Sequence, residues 1–194
     1  MSERDVLWEP SGDPGLEHLR VQIGAGGLLA DGLVIRQRPG APPFRLRYRI
    51  ECDEAARLRT ARVRLESPQE RRVDLSADGS GNWTDATGGA IPLLAGCIDL
   101  DIAATPFTNT LPIRRLDLKP GESAGIDVVY IAIPDLDVRR LRQRYTCLSH
   151  KPGCTVYLYQ NCASGLAAEL PVDEDGLVLD YPGQWRRHPG GARP

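Results

Sequence analysis

Asp99 and Asp101 stand two residues apart in the stretch Cys97 to Leu118, which reads CIDLDIAATPFTNTLPIRRLDL. They alternate with Ile98, Leu100 and Ile102. A strand with that pattern puts both carboxylates on one face and the aliphatics on the other. Two carboxylates side by side can serve as general acid and base in a hydrolase or an isomerase. They can equally be members of a solvated strand face. Thr108 and Asn109 follow, then Arg114 and Arg115. Arginine offers a planar fork of donors for phosphate or carboxylate, while Asp and Asn suit sugar hydroxyls. Together, Asp99, Asp101, Thr108, Asn109, Arg114 and Arg115 can line a polar ligand site. The competing reading is structural: acids and arginines pair across strands, and Thr108 and Asn109 close turns.

The elements that must position these groups read as strand, stiff loop, strand. Pro106 and Pro112 fix φ, and each pushes the residue before it, Thr105 or Leu111, towards extended geometry. An extended loop is therefore expected over 105–112. A strand is expected over 113–118, with Arg114 and Arg115 on opposite faces. Elsewhere Phe44, Leu46, Tyr48, Ile50 and Cys52 alternate with Arg45, Arg47, Arg49 and Glu51. Ala61, Val63 and Leu65 repeat the pattern beside it. Asp31-Gly32 reads as a tight hairpin turn, and so does Asp173-Glu174-Asp175-Gly176. Ile126 to Ile133 is apolar with little alternation, as in a strand buried on both faces. Residues 135–142 are the one window where a short helix is plausible. Tyr145, Tyr157, Tyr159 and Tyr181 concentrate the aromatic surface in the C-terminal half. Of these, Tyr145 and Tyr181 join the candidate ligand-binding set.

Many short strands joined by turn signals predict an all-β, mainly antiparallel fold: a curled sheet or an open or closed β-barrel, with at most one or two short helices. A single domain is expected over 17–186, after a loose N-terminal segment 1–16 and before a disordered tail 187–194.

Composition narrows the function classes. The net charge of −2 provides no overall field for nucleic acid or an anionic membrane. The five cysteines form no CxxC pair, and the three histidines are scattered, so no metal is expected. Gly24, Gly26 and Gly27 lack the Lys-Ser/Thr of a phosphate loop, and neither a nucleophile elbow nor HExxH occurs. No catalytic residue and no cofactor are therefore assigned. No apolar run reaches the ~18 residues of a membrane span, and the first residues hold no signal-peptide core. The reading is a cytoplasmic protein with reduced thiols.

The string GCIDLDIAATPFTNTLPIRRLDL closely resembles the signature of a bacterial family known as "putative glycolipid-binding" proteins. The resemblance continues through Tyr130 to Leu136, Gln143 to Thr146 and Leu170 to Pro182, and covers the chain from about Arg45 onward. It implies a mostly β fold, similar in outline to the open barrels of bacterial lipoprotein carriers. It also implies a lipid or glycolipid ligand and a non-catalytic role as carrier or sensor. It carries over no catalytic residues. Two alternatives stay open: an enzyme acting on a sugar or lipid through Asp99 and Asp101, and a protein-interaction module with a filled core. On the carrier reading, Asn109→Ala weakens ligand binding with little loss of stability.

Overall fold

Strict alternation builds the larger of two sheets. The computed structural model describes residues 2–189. Seven strands come first: β1 (Ser2–Pro10), β2 (Gly15–Gly24), β3 (Gly27–Arg36), β4 (Phe44–Cys52), β5 (Leu58–Ser67), β6 (Arg71–Ala77) and β7 (Trp83–Asp85). In β4 the residues Phe44, Leu46, Tyr48, Ile50 and Cys52 are buried, while Arg45, Arg47 and Arg49 are exposed. Period-two side chains thus set which face turns inward. The rest of the chain adds β8 (Asp99–Ile102), a 3-10 turn (Phe107–Asn109), α1 (Thr110–Leu116), β9 (Ser123–Ile131), β10 (Val138–Lys151), β11 (Cys154–Asn161), β12 (Ala167–Val172), β13 (Asp180–Tyr181) and β14 (Trp185–Arg187).

The first sheet has nine strands in the order β13-β14-β1-β2-β3-β4-β5-β6-β7; the second has five, β12-β11-β10-β9-β8. Every pairing is antiparallel except that of β8 with β9. The fold is therefore a single all-β domain with a curled second sheet and one short α-helix among the described residues, as the sequence predicts. No helix among the described residues is long and apolar enough to cross a membrane.

The inner face of the first sheet is filled by the chain itself. Leu100, Ile102, Phe107, Val129, Ile131 and Leu136 pack against Leu19, Val34, Leu46 and Ile50. The second sheet curls around α1, where Ile113 joins Val128, Tyr145, Tyr157 and Leu170. Strand β9 is buried on both faces, with Val128 in one cluster and Val129 and Ile131 in the other. Its continuous apolar run reports that position.

Several expectations fail for identifiable reasons. Residues 107–116 are helical: Pro112 is the third residue of α1, in the first turn, where N–H groups lack an intrahelical acceptor. Pro106 stands at the N-cap of the 3-10 turn. Arg114 and Arg115 therefore lie on a helix, not on opposite strand faces. The window 135–142 holds a turn and the start of β10 instead of a helix. Segment 1–16 is not loose, because Ser2 to Trp8 pair in register with β2. In the expected tail, Arg187 ends β14, and residues 190–194 lie outside the described residues.

Asp31-Gly32 is not a turn either. Strand β3 runs through it, and the β2–β3 hairpin closes at Gly24 and Gly27. Gly32 is needed because the Tyr48 ring from β4 lies where its Cβ would be. Gly32→Ala should lower stability by about 1–3 kcal/mol, the usual cost of overpacking, measured as a shifted denaturation midpoint. An unchanged midpoint would mean that the Tyr48 ring is free to move.

Candidate functional site

The turn and helix between β8 and β9 set the geometry of the site. The seven-residue helix α1 is closed by Asp117, which takes a left-handed backbone (φ 44°) and whose N–H donates to the Ile113 carbonyl. Arg114 and Arg115 occupy its last turn, where cations suit the helix dipole. Arg115 folds back onto β8. Its Nε donates to Asp99 Oδ1 at 3.0 Å, and its Nη2 to Oδ2 at 2.6 Å. Asp99 is 1% exposed. Burial raises its pKa, and the Arg115 bonds and charge draw it back down.

Asp101, two residues on, has different partners. Its Oδ1 accepts from Thr108 Oγ1 at 3.2 Å, and its Oδ2 from Gln143 Nε2 at 2.6 Å. Gln143 Nε2 also donates to the Tyr159 hydroxyl at 3.1 Å. Burial raises the pKa of Asp101, and the two side-chain bonds oppose it. Asn109 is fixed inside the protein: Tyr145 OH donates to its Oδ1 at 2.8 Å, and its Nδ2 donates to the Pro106 carbonyl at 3.1 Å. Tyr145 packs tilted against Tyr159 at 5.4 Å, and Tyr159 meets Tyr181 edge-on at 6.1 Å.

These groups surround a cleft of about 270 Å³ lined by Asp101, Asn109, Tyr130, Tyr159, Tyr181 and Arg38. Asn161, Gln184 and Trp185 contribute further wall, and Leu166, 42% exposed, stands at its rim. Burial raises the pKa of Tyr130, Tyr159 and Tyr181, so their hydroxyls stay protonated at neutral pH and can both donate and accept.

Of the residues singled out in the sequence, the structure brings Asp101, Asn109 and Tyr181 to the cleft wall. Thr108 and Tyr145 brace them from behind. Buried Asp99 and half-buried Arg115 form a pair away from it. Arg114 donates to the Asp175 carbonyl at 2.9 Å and lines a second cleft, of about 620 Å³, with Tyr157 and His150.

Sequence reading missed Gln143, Tyr130, Tyr159 and Arg38 as site residues. The signal for Gln143 was present: it shares the inward row of β10 with Leu141 and Tyr145, and an amide on an inward row needs partners. Arg38, in the β3–β4 connection, carried no such signal.

Fold and cleft together define an all-β, curled-sheet protein with a polar, tyrosine-rich cleft. The chain belongs to the family described as "Putative glycolipid-binding", whose model matches residues 5–187. It is similar to the crystal structure of a DUF1089 family protein from Pseudomonas aeruginosa. The two are 39% identical, with 89% of this chain and 92% of that chain covered and a TM-score of 0.79. No curated protein matches the chain.

Proposed function

We propose that the protein is a non-catalytic glycolipid binder that reads the ligand's headgroup in the tyrosine-rich cleft. The observation that carries this is the wall itself: three tyrosines, amides at Asn109, Asn161 and Gln184, and the Asp101 carboxylate converge there. Tyrosine rings offer flat apolar faces to the C–H face of a sugar. Amides and carboxylate meet its hydroxyls. The inner face of the large sheet is filled by the protein's own side chains, so acyl chains would stay outside, beginning at Leu166. That arrangement suits a sensor of displayed headgroups better than a carrier that swallows whole lipids. The five free thiols, three of them buried, favour a reducing cytoplasmic setting.

An acid–base pair is disfavoured, because Arg115 engages both oxygens of Asp99. Native mass spectrometry after gentle extraction should show a co-purifying glycolipid. Tyr181→Ala should weaken binding of that lipid by about tenfold, the scale of one lost aromatic contact. A protein that is always empty and binds no glycolipid points to an interaction module. Turnover in a glycoside or ester panel, abolished by Asp101→Asn, points to an enzyme.

A further inference from the structure

Among the described residues, Arg38 is the one cation on the cleft wall, and no acidic side chain pairs with it. Its Nη1 donates to the Ile133 carbonyl at 3.3 Å, and it forms no ion pair among the described residues. Arg115, Arg140 and Arg142, away from the cleft, are by contrast matched: Arg115 holds Asp99, while Arg140 and Arg142 share Asp127. Among the described residues the only carboxylate on the wall is Asp101, whose oxygens accept from Thr108 and Gln143.

A second guanidinium, exposed and outside the cleft lining, reaches the wall residue Tyr130. Arg139 on β10 lies opposite Tyr130 on β9 in register, and its Cζ is 5.0 Å from the centre of the Tyr130 ring. Tyr130 itself lines the cleft. One side of the cleft thus presents the Arg38 guanidinium and the Tyr130 phenol, with Arg139 over the outer part of that ring and Asp101 opposite Tyr130 on β8. The opposite chemistry, tyrosines and amides, lines the remainder. A half-buried guanidinium without an acidic partner is a strong site for an oxyanion, because charge-assisted, forked hydrogen bonds gain strength away from bulk water.

We propose that Arg38, with Arg139 stacked on Tyr130, binds an anionic group on the ligand, so that the cleft selects an acidic saccharide headgroup over a neutral one. The anion is a carboxylate, phosphate or sulfate borne by the sugar. The inference rests on reading the cleft as the saccharide site. It adds which saccharides enter.

A matched pair of lipids tests it. Glucuronosyl diacylglycerol and glucosyl diacylglycerol differ by one carboxylate and can be compared in phosphatidylcholine vesicles. Vesicles holding an equal share of phosphatidylglycerol control for bare surface charge. The wild-type protein should prefer the acidic glycolipid by about tenfold or more, as expected for one charge-assisted contact. It should prefer it to phosphatidylglycerol as well. Arg38→Gln should bring the acidic-to-neutral ratio near one. Arg38→Lys, which keeps the charge and loses the fork, should fall between, and Arg139→Gln should narrow the ratio in part.

Free glucuronate and glucose, titrated in parallel, separate lipid-borne from free ligands. Equal binding of both glycolipids overturns the anion site and leaves the cleft reading standing. Glucuronate bound over glucose, with neither lipid bound, keeps the anion site and removes the lipid. Binding of phosphatidylglycerol as strong as that of the acidic glycolipid, an undiminished ratio in Arg38→Gln, or no binding of any lipid or sugar overturns the proposal.

Discussion

Glu17→Gln should make the protein more stable than wild type at pH 9 by about 3 kcal/mol, and less stable at pH 5. Glu17 points inward from β2 and is fully buried. Its Oε1 accepts from the Tyr48 hydroxyl and, at 2.6 Å, from Thr105 Oγ1, while its Oε2 has no partner. Burial pushes its pKa up to about 8, against the pull of the Thr105 and Tyr48 bonds. The folded state therefore keeps a proton that the unfolded chain releases above its ordinary pKa of ~4.3. Stability from this group is complete below that value and is lost as pH rises through about 8. At 1.36 kcal/mol per pKa unit the loss is on the order of 5 kcal/mol. Glutamine has no such slope. It keeps the acceptor but carries two unpaired N–H groups where the protonated acid carries one O–H, and the extra unpaired donor costs about 1–3 kcal/mol relative to the protonated acid. Chemical denaturation across pH 5 to 9 should therefore give curves that cross. Parallel curves would show that Glu17 is ionised in the folded protein. Position matters for the site as well. Thr105 also accepts the Phe107 N–H at 3.0 Å and lines the cleft, so Glu17 anchors the turn that presents Asn109.

How far this arrangement is legible in the sequence depends on the residue. The period of two in β4 and β5 states which side faces the core, because nothing else competes for those positions. The DEDG turn is also plain: Asp173 Oδ1 accepts the N–H groups of Asp175 and Leu177, and Gly176 takes φ 79°. The helix at 110–116 was hidden because proline is read as a breaker, yet in a first turn it is not one. Glu17 was hidden among charged neighbours, although the row Leu19, Val21, Ile23 extended backwards lands on it. Asn109 was legible as a fixed amide but not as to what fixes it. Its two internal bonds mean that truncation strands the buried Tyr145 hydroxyl, so Asn109→Ala must cost stability along with any binding. Arg38 and the cleft itself arise from the meeting of loops distant in sequence, which no local pattern encodes.

Arg115→Met should destabilise the fold by about 3–5 kcal/mol, because it leaves Asp99 buried without its counter-charge. The pair is bidentate, with Asp99 on β8 and Arg115 in the last turn of α1, and it is the strongest polar tie between those elements. Burial already holds the Asp99 carboxyl above its ordinary pKa even with Arg115 present. Without the guanidinium its pKa must climb further. The variant should therefore regain stability as pH falls, since a raised carboxyl pKa favours the folded state on the acid side. Adding Asp99→Leu to Arg115→Met removes the stranded charge and should recover most of the loss, as replacing both members of a buried pair often does. Denaturant midpoints of the wild type, the single variant and the double variant at pH 5 and pH 7.5 decide the matter. A single variant within about 0.5 kcal/mol of wild type would mean that the pair is not a brace. If that variant also lost ligand, Arg115 would return to the ligand-binding set. If instead stability falls as expected, Asp99 and Arg115 hold β8 against α1. On that outcome the pair positions Asp101 and Asn109 on the cleft wall without touching what binds there.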